Sequence, residues 1–139
     1  MKAMNVLIDT NIVLDVLAER EPFRLAAQQI FDLSAEGEID GYLCATTCTS
    51  IQYLLRKRIG QSAALQYIRE LLSIFTVAPV DQAVLIAAVN NGMKDFEDAV
   101  LLEAARRAKA KVIITRDVKD FTHADIPALS PAEFLALPR

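Results

Sequence analysis

The chain has 139 residues, the length of one compact domain that buries a core without staples, and at 53% hydrophobic residues it is not disordered. No apolar run is long enough to cross a bilayer, and a formal net charge of −3 excludes a global basic field, though not a local basic patch. "MKAMNVLIDTN" meets an aspartate before a signal-peptide core could form, so a cytoplasmic protein is expected. Cys44 and Cys48 suit neither a disulfide framework nor a zinc knuckle and read as buried thiols.

"MNVLI" is a β-rich run without polar alternation, as expected for a strand buried on both faces. Helical spacing follows from Asn11, and Pro22 is placed to begin a second helix carrying Phe23, Ala26, Ala27, Ile30 and Phe31, closed by Gly37. "GYLCA" predicts a second strand, and "TTCTSIQYLLRKR" a helix stopped by Gly60. An amphipathic segment with Ala64, Leu65, Ile68 and Leu72 precedes a short strand at "IFTVAP". "DQAVLIAAVNNG" reads as a helix capped by Asp81 and stopped at Gly92. "DFEDAVLLEAARRAKA" is a strong helix leading into the buried strand "KVIIT", and a strand near "PALS" and a helix from Pro131 complete the chain.

Strands alternating with helices imply a single α/β domain over 1–139, a three-layer α/β/α arrangement around a mostly parallel sheet of four or five strands. Ligands of such sheets gather beyond the carboxyl ends of the strands. Asp9 and Asp117 stand at that edge, each ending an apolar run.

Acidic residues form three clusters: Asp9-Thr10-Asn11 with Asp15 one turn on, Asp95-Phe96-Glu97-Asp98, and Thr115-Arg116-Asp117 with Asp120. Taken singly, each has an ordinary role. Asp9 or Thr10 caps the first helix, Asp95 caps its own while Glu97 and Asp98 complement the helix dipole, and Asp117 caps a single turn. Asp15 reads as exposed or salt-bridged. Taken together, strand ends and helix N-termini lie on one edge of a parallel layer, so the clusters converge there. Carboxylates crowded without a counter-ion repel, and hard oxygen ligands suit Mg²⁺ or Mn²⁺.

Other chemistries find little support. His123 is the only histidine and reads as a solvated loop residue, no phosphate-binding glycine loop occurs, and no His/Cys cluster exists for zinc. Arg56, Lys57, Arg58, Arg106, Arg107, Lys109 and Lys111 read as solvated charges near helix C-termini. Arg116 differs, since beside Asp117 it either meets an RNA phosphate or pairs with one of the acids.

"LIDTNIVLDVL", "KDFEDAVLLEAA" and "VIITRDVKDF" together resemble the PIN-domain ribonucleases, the fold of the VapC-type toxins, over nearly the whole chain. "REPF" and "YLLRK" resemble one bacterial branch of that family. The resemblance implies an Mg²⁺- or Mn²⁺-dependent endoribonuclease with Asp9, Asp98 and Asp117 as catalytic ligands. Asp95 and Asp120 would be neighbours ligating directly or through water. It further implies that Thr10 and Asn11 orient Asp9, and that Thr115 contacts the attacking water or the phosphate. An antitoxin partner and a homodimer follow from family habit.

One position departs from the family pattern: Ser50 stands where a further acid is usual, on the helix after the second strand. A hydroxyl holds water but brings no charge, so Glu97 or Asp120 would have to supply it. A second reading therefore stands beside the nuclease: a PIN-like domain, weak or inactive in catalysis, that binds RNA or protein. A receiver- or phosphatase-like α/β domain is the third, and it lacks a phosphate-binding segment after "NVLIDTN".

Overall fold

The structure, a computed structural model, describes residues 3–138. Five parallel strands, β1 (Met4–Ile8), β2 (Ile39–Cys44), β3 (Thr76–Ala78), β4 (Val112–Ile114) and β5 (Ala128–Leu129), form one sheet in the order β3-β2-β1-β4-β5. The sheet has five strands and is wholly parallel, where four or five and mostly parallel were expected. Six helices cross between the strands, α1 (Thr10–Leu17), α2 (Arg24–Ala35), α3 (Ala45–Ile59), α4 (Gln61–Ile74), α5 (Gln82–Asn90) and α6 (Phe96–Arg107), and α7 (Pro131–Leu135) follows β5. A single 3₁₀ turn spans Val118–Phe121.

The absence of alternation in β1 has its cause in two covered faces. Val6 and Ile8 pack with Ile12, Ile30, Leu43 and Ile114 against α1 to α4 and α7. Leu7 packs with Ile113, Ala104 and Val100 against α5 and α6. Val6, Leu7 and Ile8 therefore each leave water, worth about 1.5–3 kcal/mol for a residue of this size, while Met4 at the start of the strand stays exposed. Gly41 serves the same close packing. A Cβ there would stand 2.5 Å from the Ser34 hydroxyl and 2.7 Å from the Phe75 ring, so β2 tolerates no side chain at that point.

Several boundaries follow their sequence signals. Asp81 accepts the backbone N–H of Val84 at 3.0 Å, Ser130 and Glu133 form a reciprocal capping box, and Gly60 ends α3 at a φ of +88°. Others shift. Asp9 caps α1, which therefore begins at Thr10 rather than Asn11, and α2 begins at Arg24 rather than Pro22 because the chain first makes a turn closed by the Phe23 N–H on the Arg20 carbonyl. Phe23 is consequently 40% exposed rather than core. On α4 the buried residues are Ala64 and Leu71, while Leu65 and Leu72 face outward, as Tyr53 and Leu54 of α3 do. Cys44 is buried, and Cys48 only partly so.

Candidate active site

The chain leaves β1 toward β2 on one side and returns to β4 on the other, so the sheet order reverses between β1 and β4. Such a reversal opens a crevice beyond the carboxyl ends of the two strands. Asp9 follows directly on Ile8 there, and Thr115, Arg116 and Asp117 follow on Ile114. Asp98 enters from the first turn of α6.

A hydrogen-bonded chain fixes these groups. One Asp9 carboxylate oxygen accepts the backbone N–H of Thr10 and the other accepts the Thr115 hydroxyl, both at 2.7 Å. Thr115 accepts the backbone N–H of Asp117 at 3.0 Å and lies 3.5 Å from the Asn11 amide nitrogen. Its side chain is fully buried, so it cannot reach an attacking water or a phosphate as the family resemblance implied. It positions Asp9 instead. Asn11 also departs from expectation. Its amide nitrogen donates to Asp117 at 3.0 Å and its oxygen accepts the Arg116 backbone N–H at 3.3 Å, so Asn11 orients Asp117 while Thr10 orients Asp9. The Thr10 and Thr47 hydroxyls share a hydrogen bond of 2.9 Å that ties α1 to α3.

The ordinary capping roles sort out differently for the three clusters. Asp95 does cap α6, accepting the Asp98 backbone N–H at 2.9 Å. Asp9 caps α1 and still faces the crevice. Asp117 heads the 3₁₀ turn without any side-chain cap, leaving its carboxylate to Asn11 and the open crevice.

Electrostatically the crevice is strained. Burial pushes the Asp98 carboxyl up to about 7, with the charges of Asp95, Asp9, Asp120 and Asp117 adding to the shift. Asp9 is raised by its burial, against the hydrogen bonds from Thr115 and Thr10 that lower it, and the charges of Asp117 and Glu97 raise it further. Both shifts are toward the protonated forms of Asp98 and Asp9, and a cation beside them would reverse that direction.

Asp9, Thr10, Asn11, Ser50, Asp98, Arg116 and Asp117 all line one cleft of about 320 Å³. Ser50 thus stands where the resemblance expected an acid, and Glu97 also lines the cleft. Asp95 and Asp120 stand round the corner, in an adjoining groove that Asp98 shares. Thr46, Thr47 and Arg20 complete the cleft and were missed from sequence. The two threonines open the helix that follows β2, so the rule that placed Asp98 at the site also reaches them. Arg20 carried no such signal.

Asp15 is fully buried and holds both arginines of the cleft wall. Arg20 reaches it at 3.1 Å, and Arg116 grips both its oxygens at 2.8 and 3.1 Å. Of the two roles open to Arg116, the ion pair is the one present. Its guanidinium also stacks 3.9 Å from the centroid of the Phe23 ring. Among the remaining basic residues, Arg106 pairs with Glu103 and Asp125, and Arg107 with Asp81.

The donor set suits a hard divalent cation: oxygen ligands only, without nitrogen or sulfur, two of them with raised pKa values. Among the described residues, no three of the acids are drawn together tightly enough to enclose an ion. Asp9, Asp98 and Asp117 share one cleft, as the resemblance implied.

Comparison with known proteins agrees with this architecture. Ribonuclease VapC1 of Aquifex aeolicus (strain VF5) is 27% identical over 139 residues, covering 96% of this chain and 95% of its own. A toxin-antitoxin complex from Klebsiella pneumoniae has the same fold with a TM-score of 0.70 at 23% identity, over 91% of this chain and 97% of that one. VapBC-1 from nontypeable Haemophilus influenzae gives a TM-score of 0.72 at 17% identity, over 93% and 99%. The family model described as the PIN domain matches residues 5–119, and the chain belongs to the PIN domain family.

Proposed function

We propose that this chain, one PIN domain over 1–139, is an Mg²⁺- or Mn²⁺-dependent endoribonuclease acting as the toxin of a toxin–antitoxin pair. The observation that carries the reading is the cleft at the β1/β4 reversal, which Asp9, Asp98 and Asp117 line together without a salt bridge to any of them among the described residues. Support for the substrate and role comes from the relatives: one is named a ribonuclease, and another is a toxin-antitoxin complex.

In this reading Asp9, Asp98 and Asp117 hold the cation, with Asp95 and Asp120 at its periphery. When bound, a divalent cation lowers the pKa of an attacking water and offsets charge on the scissile phosphate. Asp9 is held in register by Thr10 and Thr115, and Asp117 by Asn11. The Ser50 hydroxyl of α3 orients water, and Glu97 of α6, which also lines the cleft, supplies the charge that Ser50 lacks. Arg116, 27% exposed on its side chain, presents the free edge of its guanidinium to an RNA phosphate while Asp15 holds the other edge.

An antitoxin covering the acidic cleft and a homodimer built on outward apolar side chains complete the proposal, together with a cytoplasmic location. Leu85, Ile86 and Val89 of α5, and Tyr53 and Leu54 of α3, are candidates for such contacts. No helix of the described residues is long and apolar enough to cross a membrane.

Incubating the protein with single-stranded RNA and Mg²⁺ or Mn²⁺ should give cleavage that Asp9→Asn abolishes. Clean protein that leaves RNA intact with every divalent ion would overturn the reading. The second reading, a PIN domain that binds RNA or protein without cutting, is favoured by Ser50 in the cleft. RNA binding that persists while cleavage is absent would establish it.

A further inference from the structure

Next to the acidic cleft lies a second one of about 430 Å³, and its walls are of another kind. Pro22, Phe23 and Ala26 form one side, and Ser130, Pro131 and Ala132 the other. Arg116 and Asp117 line both clefts, so the two are continuous around that pair of residues.

The apolar cleft is firmly built. Its α7 wall is fixed by the capping box of Ser130 and Glu133. Its other wall carries Phe23, 40% exposed, with one approach occupied by the Arg116 guanidinium 3.9 Å from the ring centroid. Arg116 is itself held by Asp15, at 2.8 and 3.1 Å. An aromatic ring is thus kept at the surface in a set orientation, beside a cation that stands at the edge of the carboxylate cleft.

We infer that this apolar cleft is a nucleobase subsite, taking one unpaired base of an RNA strand whose phosphodiester lies at Asp9, Asp98 and Asp117. The inference rests on the nuclease reading and adds the feature that selects single strands. A chain running from the carboxylates over Arg116 has its backbone at the guanidinium and its next base over the apolar walls. Exposed aromatic and proline surfaces are what an unstacked base needs, and aromatic stacking accepts any base. The Ser130 hydroxyl uses its oxygen to accept the Glu133 backbone N–H at 3.1 Å and keeps its proton to donate to a base edge. A base paired within a duplex cannot enter. The cleft's continuity with the carboxylate cleft, through a cation suited to phosphate, favours RNA over a protein side chain as the occupant.

The test is a scan of single-stranded RNA oligonucleotides, each with one abasic residue at a successive position. Binding is measured by fluorescence anisotropy in the full chain carrying Asp98→Asn, which prevents cutting, with and without Phe23→Ala. One position should weaken binding about tenfold when abasic, Phe23→Ala should cost a similar factor, and the two losses should not add. Phe23→Trp should restore the binding and its dependence on that position, which separates stacking from a folding defect. RNA bound equally well with every abasic residue, or losses that add at every position, would overturn the subsite and leave the cleft to a protein partner or to none. In that case cutting by the chain with native Asp98 would leave the nuclease reading standing. Failure to bind any RNA, with no cleavage, would overturn both.

Discussion

Asp15 and Asp98 both sit near the same crevice, and their surroundings differ in the one respect that matters. Asp15 is fully buried and answered by two arginines, Arg20 and Arg116. Asp98 is only half-buried, yet the charged groups that shift it are other carboxylates, Asp95, Asp9, Asp120 and Asp117. A buried acid that folds with its own cations is a fastening. Acids that fold among like charges are disfavoured in their charged forms, and a cation bound among them would reverse that preference. The degree of burial therefore does not separate the fastening from the proposed metal ligand here, whereas the sign of the neighbours does.

Substitutions should divide along that line. The largest effect is expected from Asp98→Asn: RNA cleavage falls to background, while thermal unfolding shows a melting temperature equal to or above that of the native chain, because a repelling charge is gone. A variant that unfolds would instead place Asp98 among the fastenings. Thr115→Val comes next. It removes the hydroxyl that holds Asp9, and a lost outer partner of a metal ligand typically costs about 10–100-fold in activity or metal affinity. Single-turnover cleavage rates against Mn²⁺ concentration would register it.

Asp15→Asn should behave in the opposite manner to Asp98→Asn. Removing one partner of a buried ion pair costs about 3–5 kcal/mol, and because Arg20 and Arg116 reach solvent, about 2–3 kcal/mol is expected here. Urea unfolding measures it, and a loss below about half a kcal/mol would contradict the contrast. The smallest effect concerns pH. Burial and the neighbouring carboxylates push the Asp98 carboxyl up to about 7, from 3.8 in an unfolded chain, so the fold binds this proton more tightly than the unfolded chain does. Its contribution to stability is therefore present below about 3.8 and lost as pH rises through about 7. In metal-free protein the native chain should lose stability over that window relative to Asp98→Asn, and Mn²⁺ should restore it. Parallel pH profiles for the two would refute the link.

The sequence exposed what depends on local pattern. The buried strands, the Asp81 and Asp95 caps and the Gly60 stop are set by residues adjacent in the chain, and they stand where their spacing put them. The convergence of Asp9, Asp98 and Asp117 was also legible, because it follows from the common direction of parallel strands. What stayed hidden depends on partners distant in sequence. Arg116 is 101 positions from Asp15, and Thr115 is 106 from Asp9, so neither the ion pair nor the burial of Thr115 leaves a local trace. For the same reason Leu65 and Leu72 read as core until the placement of α3 and α4 turned them outward.

The central claim is that Asp9, Asp98 and Asp117 make one divalent-cation site. Titration of metal-free protein with Mn²⁺ near neutral pH, followed by the loss of the free-ion EPR signal, tests it most directly. The account predicts saturable binding that Asp117→Asn and Asp98→Asn each abolish or greatly weaken and that Asp120→Asn weakens less. No saturable binding by the native chain, or binding untouched by Asp117→Asn, would contradict it.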